Sequence, residues 1–523
     1  MYTFKKITAT NGFDTSNLNN ARQNNYAWAV AELGNYIYYG TGRNILYNVV
    51  KSLNPLIQAP DLIKPMVVDN AAEIWRHKKN DEVGGWERVF KSPLNPISIG
   101  FRAMINFSPH GGSPCLIAAG YGGKINMYKS TNGVDWFLIN NGVNLQGTSS
   151  RAMVVINDVL YVATLNELVT SGGAYLYSSK DPEFYPWENI IDTSNPRYDV
   201  AKNPTGQISN MVVFNKRLYL GISTKDGCQV WRSNGEVPKI NEWTLIVDKG
   251  FGDGLNENIL SMGVFCDGLY VSATKPLPLA WALPMGFDLI RIDKRDNWRL
   301  IVGGIPFEPV QPTKGKRGRS ASGYWSGFSN PFNVYAWQIQ EYNGKLLIST
   351  FDDSSNMEVI LTTLLANREA LNKLIGEKET TIIIEVYKGI IRLLNLIKYP
   401  YGFDFYESRD GIHFRPIFKN GICNRANYGG RTLFVDSCDR LYLGTANPFQ
   451  GCEVYSVKEN LDSCRKGEVP YYSQEFINEE SEDSYKWIFK EIQEEINKHY
   501  NVLDEKLPLV MKYLSDHGYH ISL

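Results

Sequence analysis

Leu260-Ser261-Met262-Gly263-Val264-Phe265, a short turn, and then Leu269-Tyr270-Val271-Ser272 form the phrase on which the fold turns. Apolar and small residues alternate in both halves, and Gly, Asn or Asp bound them, so the pair reads as two half-buried antiparallel strands. The phrase recurs as Ser209-Asn210-Met211-Val212-Val213-Phe214 with Leu218-Tyr219-Leu220-Gly221. Looser copies centre on Trp28, Met104, Met153, Trp337 and Leu433. Their second strands are Tyr38-Tyr39-Gly40-Thr41, Leu116-Ile117-Ala118, Leu160-Tyr161-Val162-Ala163-Thr164, Leu346-Leu347-Ile348-Ser349-Thr350 and Leu441-Tyr442-Leu443-Gly444-Thr445. The shortest spacing between copies, about 50 residues, suits one four-stranded blade each.

A third strand follows each pair, as in Gln229-Val230-Trp231-Arg232, and a fourth opens on an aromatic residue: Trp86, Trp136, Trp187, Trp243, Trp298 or Phe414. The copy around Leu433 lacks a fourth strand after its third. The N-terminus supplies one, because Phe4-Lys5-Lys6-Ile7 followed by Gly12-Phe13-Asp14 parallels Trp243-Thr244-Leu245-Ile246 followed by Gly250-Phe251-Gly252-Asp253. The pattern predicts an all-β, seven-bladed β-propeller over residues 1–460, closed by the N-terminal strand so that no sheet edge stays open, with a short helical C-terminal extension over 461–523.

The 523 residues include 13% aromatics and 45 Gly, a balance suited to a β repeat, and the net charge of −1 offers no general attraction to nucleic acid. Seven scattered Cys without CxxC spacing suggest neither a disulfide framework nor a zinc site. The six His form no metal-ligand cluster, so no cofactor is evident, although a metal such as calcium stays open. No GxSxG, P-loop or strand-to-helix GxGxxG occurs. With no signal-like apolar run at the start, a cytoplasmic protein is expected.

Two third-to-fourth strand turns, Ser130-Thr131-Asn132-Gly133-Val134-Asp135-Trp136 and Ser408-Arg409-Asp410-Gly411-Ile412-His413-Phe414, share the form Ser-x-Asp/Asn-Gly-x-x-aromatic. They resemble the Asp-boxes of sialidase-type propellers, and the stretch from Trp243 to Phe265 resembles a repeat of bacterial propellers. Among relatives of that repeat are the alkylating enzymes that close cylindrocyclophane rings by Friedel–Crafts chemistry. That resemblance implies a propeller engaged in natural-product alkylation. The chain has no catalytic motif matching theirs and lacks the Gly/Asp-rich calcium-binding nonapeptides expected of their extra domain.

Departures from the repeat are concentrated in three long insertions, at about 43–70, 275–286 and 357–401. Each falls between second and third strands, on the propeller face that also carries the blade-to-blade connections. The third is predicted to hold two helices, Ile360 to Ile375 and Thr381 to Lys398, the second with a wide apolar arc. Packed as a lid, these segments would exclude water over the channel mouth, with Trp281 among their apolar residues. A partner-docking or membrane patch is the competing role, membrane contact being the weaker because basic residues are sparse there. The C-terminal helices are read as docking on the propeller or joining a homodimer.

Two residues before each strand centre stand Tyr26, Arg102, Arg151, Ser209, Leu260, Tyr335 and Arg431. Arginines recurring at equivalent positions would hold an anionic group at the mouth. Arg102, Arg151 and Arg431, with Trp28, Trp337 and Trp281, are therefore the candidate substrate-binding residues. Asp352 or Asp353 is the candidate general base, and Tyr335 and Tyr26 complete the candidate catalytic set. Three functions fit: an enzyme acting on a largely apolar small molecule that bears an anionic or halide group, including natural-product alkylation or cyclisation; a sialidase-like glycosidase or glycan binder; and a noncatalytic interaction propeller.

Overall fold

The computed structural model describes residues 2–53, 59–66, 69–80, 82–139, 145–167, 172–276, 280 and 283–459, together with 494, 496, 498, 499, 502, 503, 505, 506 and 509. Its strands are organised as four-stranded antiparallel blades of the propeller kind. Gln207–Phe214, Arg217–Ser223, Gln229–Ser233 and Trp243–Val247 form one separate sheet in that order. Asn258–Phe265, Gly268–Thr274, Asp288–Asp293 and Trp298–Val302 form another, and the four strands from Ser149 to Asn189 a third. The remaining strands repeat the same local order inside a 16-stranded sheet, whose units are joined by single bridges such as Gly42 with Gly100 and Phe351 with Gly429.

Strand pairing at the N-terminus follows the predicted pattern. Tyr2–Lys6 lies antiparallel to Val454–Glu459, with Phe4 opposite Val457. Phe13 takes a positive φ of 75° and packs 5.8 Å from Trp75, as Phe251 takes 63° and lies 6.5 Å from Trp298. The two similar turns also close alike. Gly133 and Gly411 donate their N–H groups to Ser130 Oγ and Ser408 Oγ, both at 2.8 Å. A Cβ on either glycine would collide with the hydroxyl of Tyr38 or Tyr270, so the tyrosine of the recurring phrase butts against a neighbouring turn.

Beneath the strand starts lies a repeated buried hydrogen bond. Asn24, Asn256, Asn333 and Asn427 each donate from Nδ2 to the acid at the start of the third strand, Glu73, Asp288, Asp404 and Glu453, at 2.9, 2.8, 2.8 and 2.6 Å. All eight residues are buried, and each asparagine fixes where its first strand enters the sheet. In three of these units the acid's N–H is received by a second-strand threonine: Thr41, Thr350 or Thr445.

Helices occupy the first and third insertions. Besides α1 (Leu18–Gln23), α2 spans Ile45–Leu53, and the third insertion carries α3 (Asn356–Ala366), α4 (Arg368–Ile375) and α5 (Glu377–Leu396). Three helices replace the expected two because Asn367 donates its side-chain amide to Thr363 O and ends α3, and Gly376, at φ 98°, ends α4. Ile383, Ile384, Tyr387, Ile390 and Leu394 of α5 bury their side chains in one apolar cluster with Val50, Leu283 and Met285 of the other insertions and with Ile496 and Leu503 near the C-terminus. Each such aliphatic side chain contributes roughly 1.5–3 kcal/mol. Trp281 and most of the predicted C-terminal extension lie outside the described residues. Among the described residues no helix is long and apolar enough to cross a membrane, and six cysteines are free thiols.

Deleting residues 2–6 would expose the edge of Val454–Glu459 and remove the buried hydrogen bond from Tyr2 to Glu407 at 2.8 Å. The deletion is expected to cost about 3 kcal/mol in urea unfolding and to promote self-association detectable by size-exclusion chromatography.

Candidate functional site

First strands in this chain do not run straight. Each carries a register shift against its second strand, and the residue expelled there is Trp28, Arg102, Ser209, Leu260, Trp337 or Arg431, with Arg151 in the corresponding shift of its unit. A bulge re-aims the extra side chain out of the regular ladder. The tryptophans, not Tyr26 and Tyr335, therefore stand in the arginine position; longer bulged first strands in those two units move the equivalence by two residues. Glycines leave room for the indoles. A Cβ on Gly100 would lie 2.0 Å from the Trp28 ring, and one on Gly429 would lie 2.1 Å from that of Trp337.

The bulged residues interact. Arg102 lies over the Trp28 ring at 4.5 Å and Arg431 over Trp337 at 5.2 Å, each arginine stacked on the indole of a neighbouring unit. Glu167 receives both other guanidinium groups: Arg151 donates from Nη2 at 2.6 Å and from Nε at 3.2 Å, and Arg102 forms an ion pair with its Oε1. Two arginines on one buried carboxylate outweigh the cost of its burial and hold its pKa at about 2. Arg431 is different. It is 8% exposed, and its guanidinium makes no ion pair and no hydrogen bond among the described residues; burial first, then the charges of Arg102 and Arg151, push its pKa well below the usual value. Three buried donors of this layer, Arg431 Nε, Arg102 Nε and Trp28 Nε1, are without a hydrogen-bond partner.

Aromatic rings complete the surroundings. Tyr26 packs edge-on against Trp28 and Trp337, at 5.4 and 5.7 Å, and shares a short hydroxyl contact with Tyr428. Tyr335 stacks on Phe351 at 4.8 Å. Burial raises the Tyr26 hydroxyl to about 12 and lifts those of Tyr121 and Tyr428 as well, so these groups stay neutral near pH 7. The result is an apolar, aromatic-walled set of cations with one locked anion.

Asp352 and Asp353 are placed elsewhere. Strand alternation turns Phe351 toward Tyr335 and Tyr428, and Asp352 bonds instead with Ser354, Tyr399 and Asn330, beside the helical insertion. The Asp353 carboxyl group is fully buried and has no hydrogen-bond partner among the described residues. Neither carboxylate contacts Arg102, Arg151 or Arg431. Glu167 does, as a counter-ion and not as a base; its place two residues after a second strand was the available signal. Among the described residues no group of three or more His, Cys, Asp or Glu is placed to hold a metal ion.

No protein-family profile and no curated protein matches the chain. Among solved structures it is similar to PorZ, a surface component of the type-IX secretion system of Porphyromonas gingivalis, at 12% identity over 82% of this chain and 46% of that one, with a TM-score of 0.44. It is similar to the WD40 β-propeller domain of Doa1, at 9% identity over 88% and 98% of the two chains and a TM-score of 0.40. A GH74 enzyme of Niastella koreensis aligns at 12% identity over 64% of this chain and 51% of its own, with a TM-score of 0.35. The chain thus spans about half of the PorZ and GH74 chains. Likeness at this level transfers no residue role.

Glu167→Gln leaves Arg102 and Arg151 buried without their counter-ion and is expected to cost about 3 kcal/mol. Because the folded pKa of Glu167 lies below its ordinary 4.5, the stabilisation from this ion pair is fully present above that value and is lost as pH falls toward 2. Urea unfolding across this acid range should show that component in the wild type and not in the variant.

Proposed function

We propose that the blades close into one seven-bladed propeller and that its arginine layer binds a small organic anion with an apolar or aromatic body. The ring is supported by adjacency of first strands: Asn24–Leu33 neighbours Gly100–Phe107 and Gly429–Val435, and the series continues through Ser149–Ile156, Gln207–Phe214, Asn258–Phe265 and Asn333–Tyr342 back to Gly429–Val435. Pairing of Tyr2–Lys6 with Val454–Glu459 supplies the last fourth strand.

Arg431 is the observation that carries the functional reading. A buried guanidinium without a counter-ion is costly, and three arginines against one glutamate leave an excess of two positive charges in a largely desolvated setting. A bound anion is the natural partner, received by the unsatisfied N–H groups of Arg431, Arg102 and Trp28. The surrounding rings favour a flat, apolar body.

Binding fits this layer better than acid–base turnover does. Glu167 is held ionised between two arginines, and Tyr26 is too weak an acid to exchange protons readily near pH 7.

Isothermal titration with benzoate, phenylphosphonate and an uncharged control such as benzamide tests the reading. At least one anion should bind where benzamide does not, and Arg431→Gln should weaken it at least about tenfold. Absence of binding by both anions, or equal affinity in the variant, would overturn it.

A further inference from the structure

The repeated asparagine-to-acid hydrogen bond has a third member, at the end of the second strand. In two units this member is a cation: Arg43 lies 3.8 Å from Glu73, and Lys275 lies 3.6 Å from Asp288. In a third it is an amide, Asn447, which donates to Asn427 Oδ1 at 3.0 Å. Counting from the bulge places Asp352 at the same position in the remaining unit, beside Asp404. A carboxylate thus stands where related units put a cation or an amide.

Both acids are sealed, at 0% and 1% exposure, and neither forms an ion pair among the described residues. One Asn330 amide bridges them, with Nδ2 at 3.5 Å from Asp352 Oδ2 and 3.4 Å from Asp404 Oδ2. Asp352 also ties together the two ends of the helical insertion. Its Oδ1 accepts from the N–H of Ser354 at 2.9 Å and from the Ser354 hydroxyl, just before α3, and its Oδ2 accepts from the Tyr399 hydroxyl, just after α5.

We propose that Asp352 and Asp404 share one proton and act as a latch that seats the α3–α5 insertion on the sheet, tight while the proton is held and loosened when it leaves for solvent. Two ionised carboxylates bridged by one amide in a dry site repel, and the only cation acting on them, Lys419 on Asp404, does not outweigh their burial. The other groups facing the pair are Asp353, Tyr399, Tyr401 and Tyr406, with Tyr387 acting on Asp353 and Lys419 on Asp404 through space. Burial keeps Tyr387 and Tyr399 neutral and, ahead of the Asp352 charge, raises Asp353 well above its ordinary value. Burial and then Asp404 lift Asp352 to about 7, and Asp404 rises likewise. Raised acids stabilise the fold fully below their ordinary value of 3.8 and lose that contribution as pH climbs through about 7.

Hydrogen exchange of the full chain, read on peptides from 356–396 and corrected for intrinsic rates, tests the latch. Between about pH 6 and about pH 8.5, wild-type protection should fall about tenfold or more, while Asp352→Asn and Asp404→Asn should each flatten the dependence. An unchanged wild type, or an equal fall in both variants, would overturn the proposal. Should either variant fail to fold, infrared titration of the wild type decides: a buried protonated carboxyl signal must vanish in step with the exchange change, and its absence at about pH 6 sinks the idea. Neither readout depends on the arginine layer, so the latch and the anion site succeed or fail separately.

Discussion

Four buried hydrogen bonds, each from an asparagine at the entry of the first strand to an acid at the entry of the third, are the constraint on which the rest depends. A buried carboxylate must be satisfied or neutralised, and an asparagine in a fixed place does part of that work while pinning the entry of its strand. The bulged residue lies four positions later in every one of these units, so the same bond that anchors a blade also sets where Trp28, Leu260, Trp337 and Arg431 emerge. Scaffold and candidate site are consequences of one local geometry.

What remains of the acid's charge is balanced differently from unit to unit, and those differences are informative. Arg43 and Lys275 neutralise their acids, whereas Asp352 adds a second one. In the arginine layer the imbalance has the opposite sign: Glu167 offsets Arg102 and Arg151, and Arg431 is left with the face of Trp337. A low-dielectric interior makes both imbalances expensive, and on them rest the proposed anion site and the proposed shared proton. The two are adjacent in the chain's third dimension through a single strand, on which Phe351 turns toward the aromatic layer and Asp352 toward the helices.

Much of the strand order was legible because period-two alternation and turn residues act locally. The aromatic that opens each fourth strand, and the parallel between Gly12-Phe13 and Gly250-Phe251, depend on a few neighbouring residues and could be read directly. Bulges were not legible. They arise from a mismatch of two strands, and an unmodified spacing count placed Tyr26 and Tyr335 where Trp28 and Trp337 stand. The same blindness to side-chain direction assigned Asp352 and Asp353 to the arginines, although one residue of alternation sends Asp352 to the other side.

By itself the sequence determined the repeating four-strand unit, the position of the insertions and the recurrence of three arginines at related places, because each of these is a matter of periodicity and residue type. Only the tertiary structure decided which arginines are paired and which is left over, and that Asn330 bridges two aspartates where related units hold a cation or an amide. Ion pairing and burial join residues far apart in the chain, such as Arg102 with Glu167 and Asp352 with Asp404. Their energies depend on distance and exclusion of water, which no local pattern encodes.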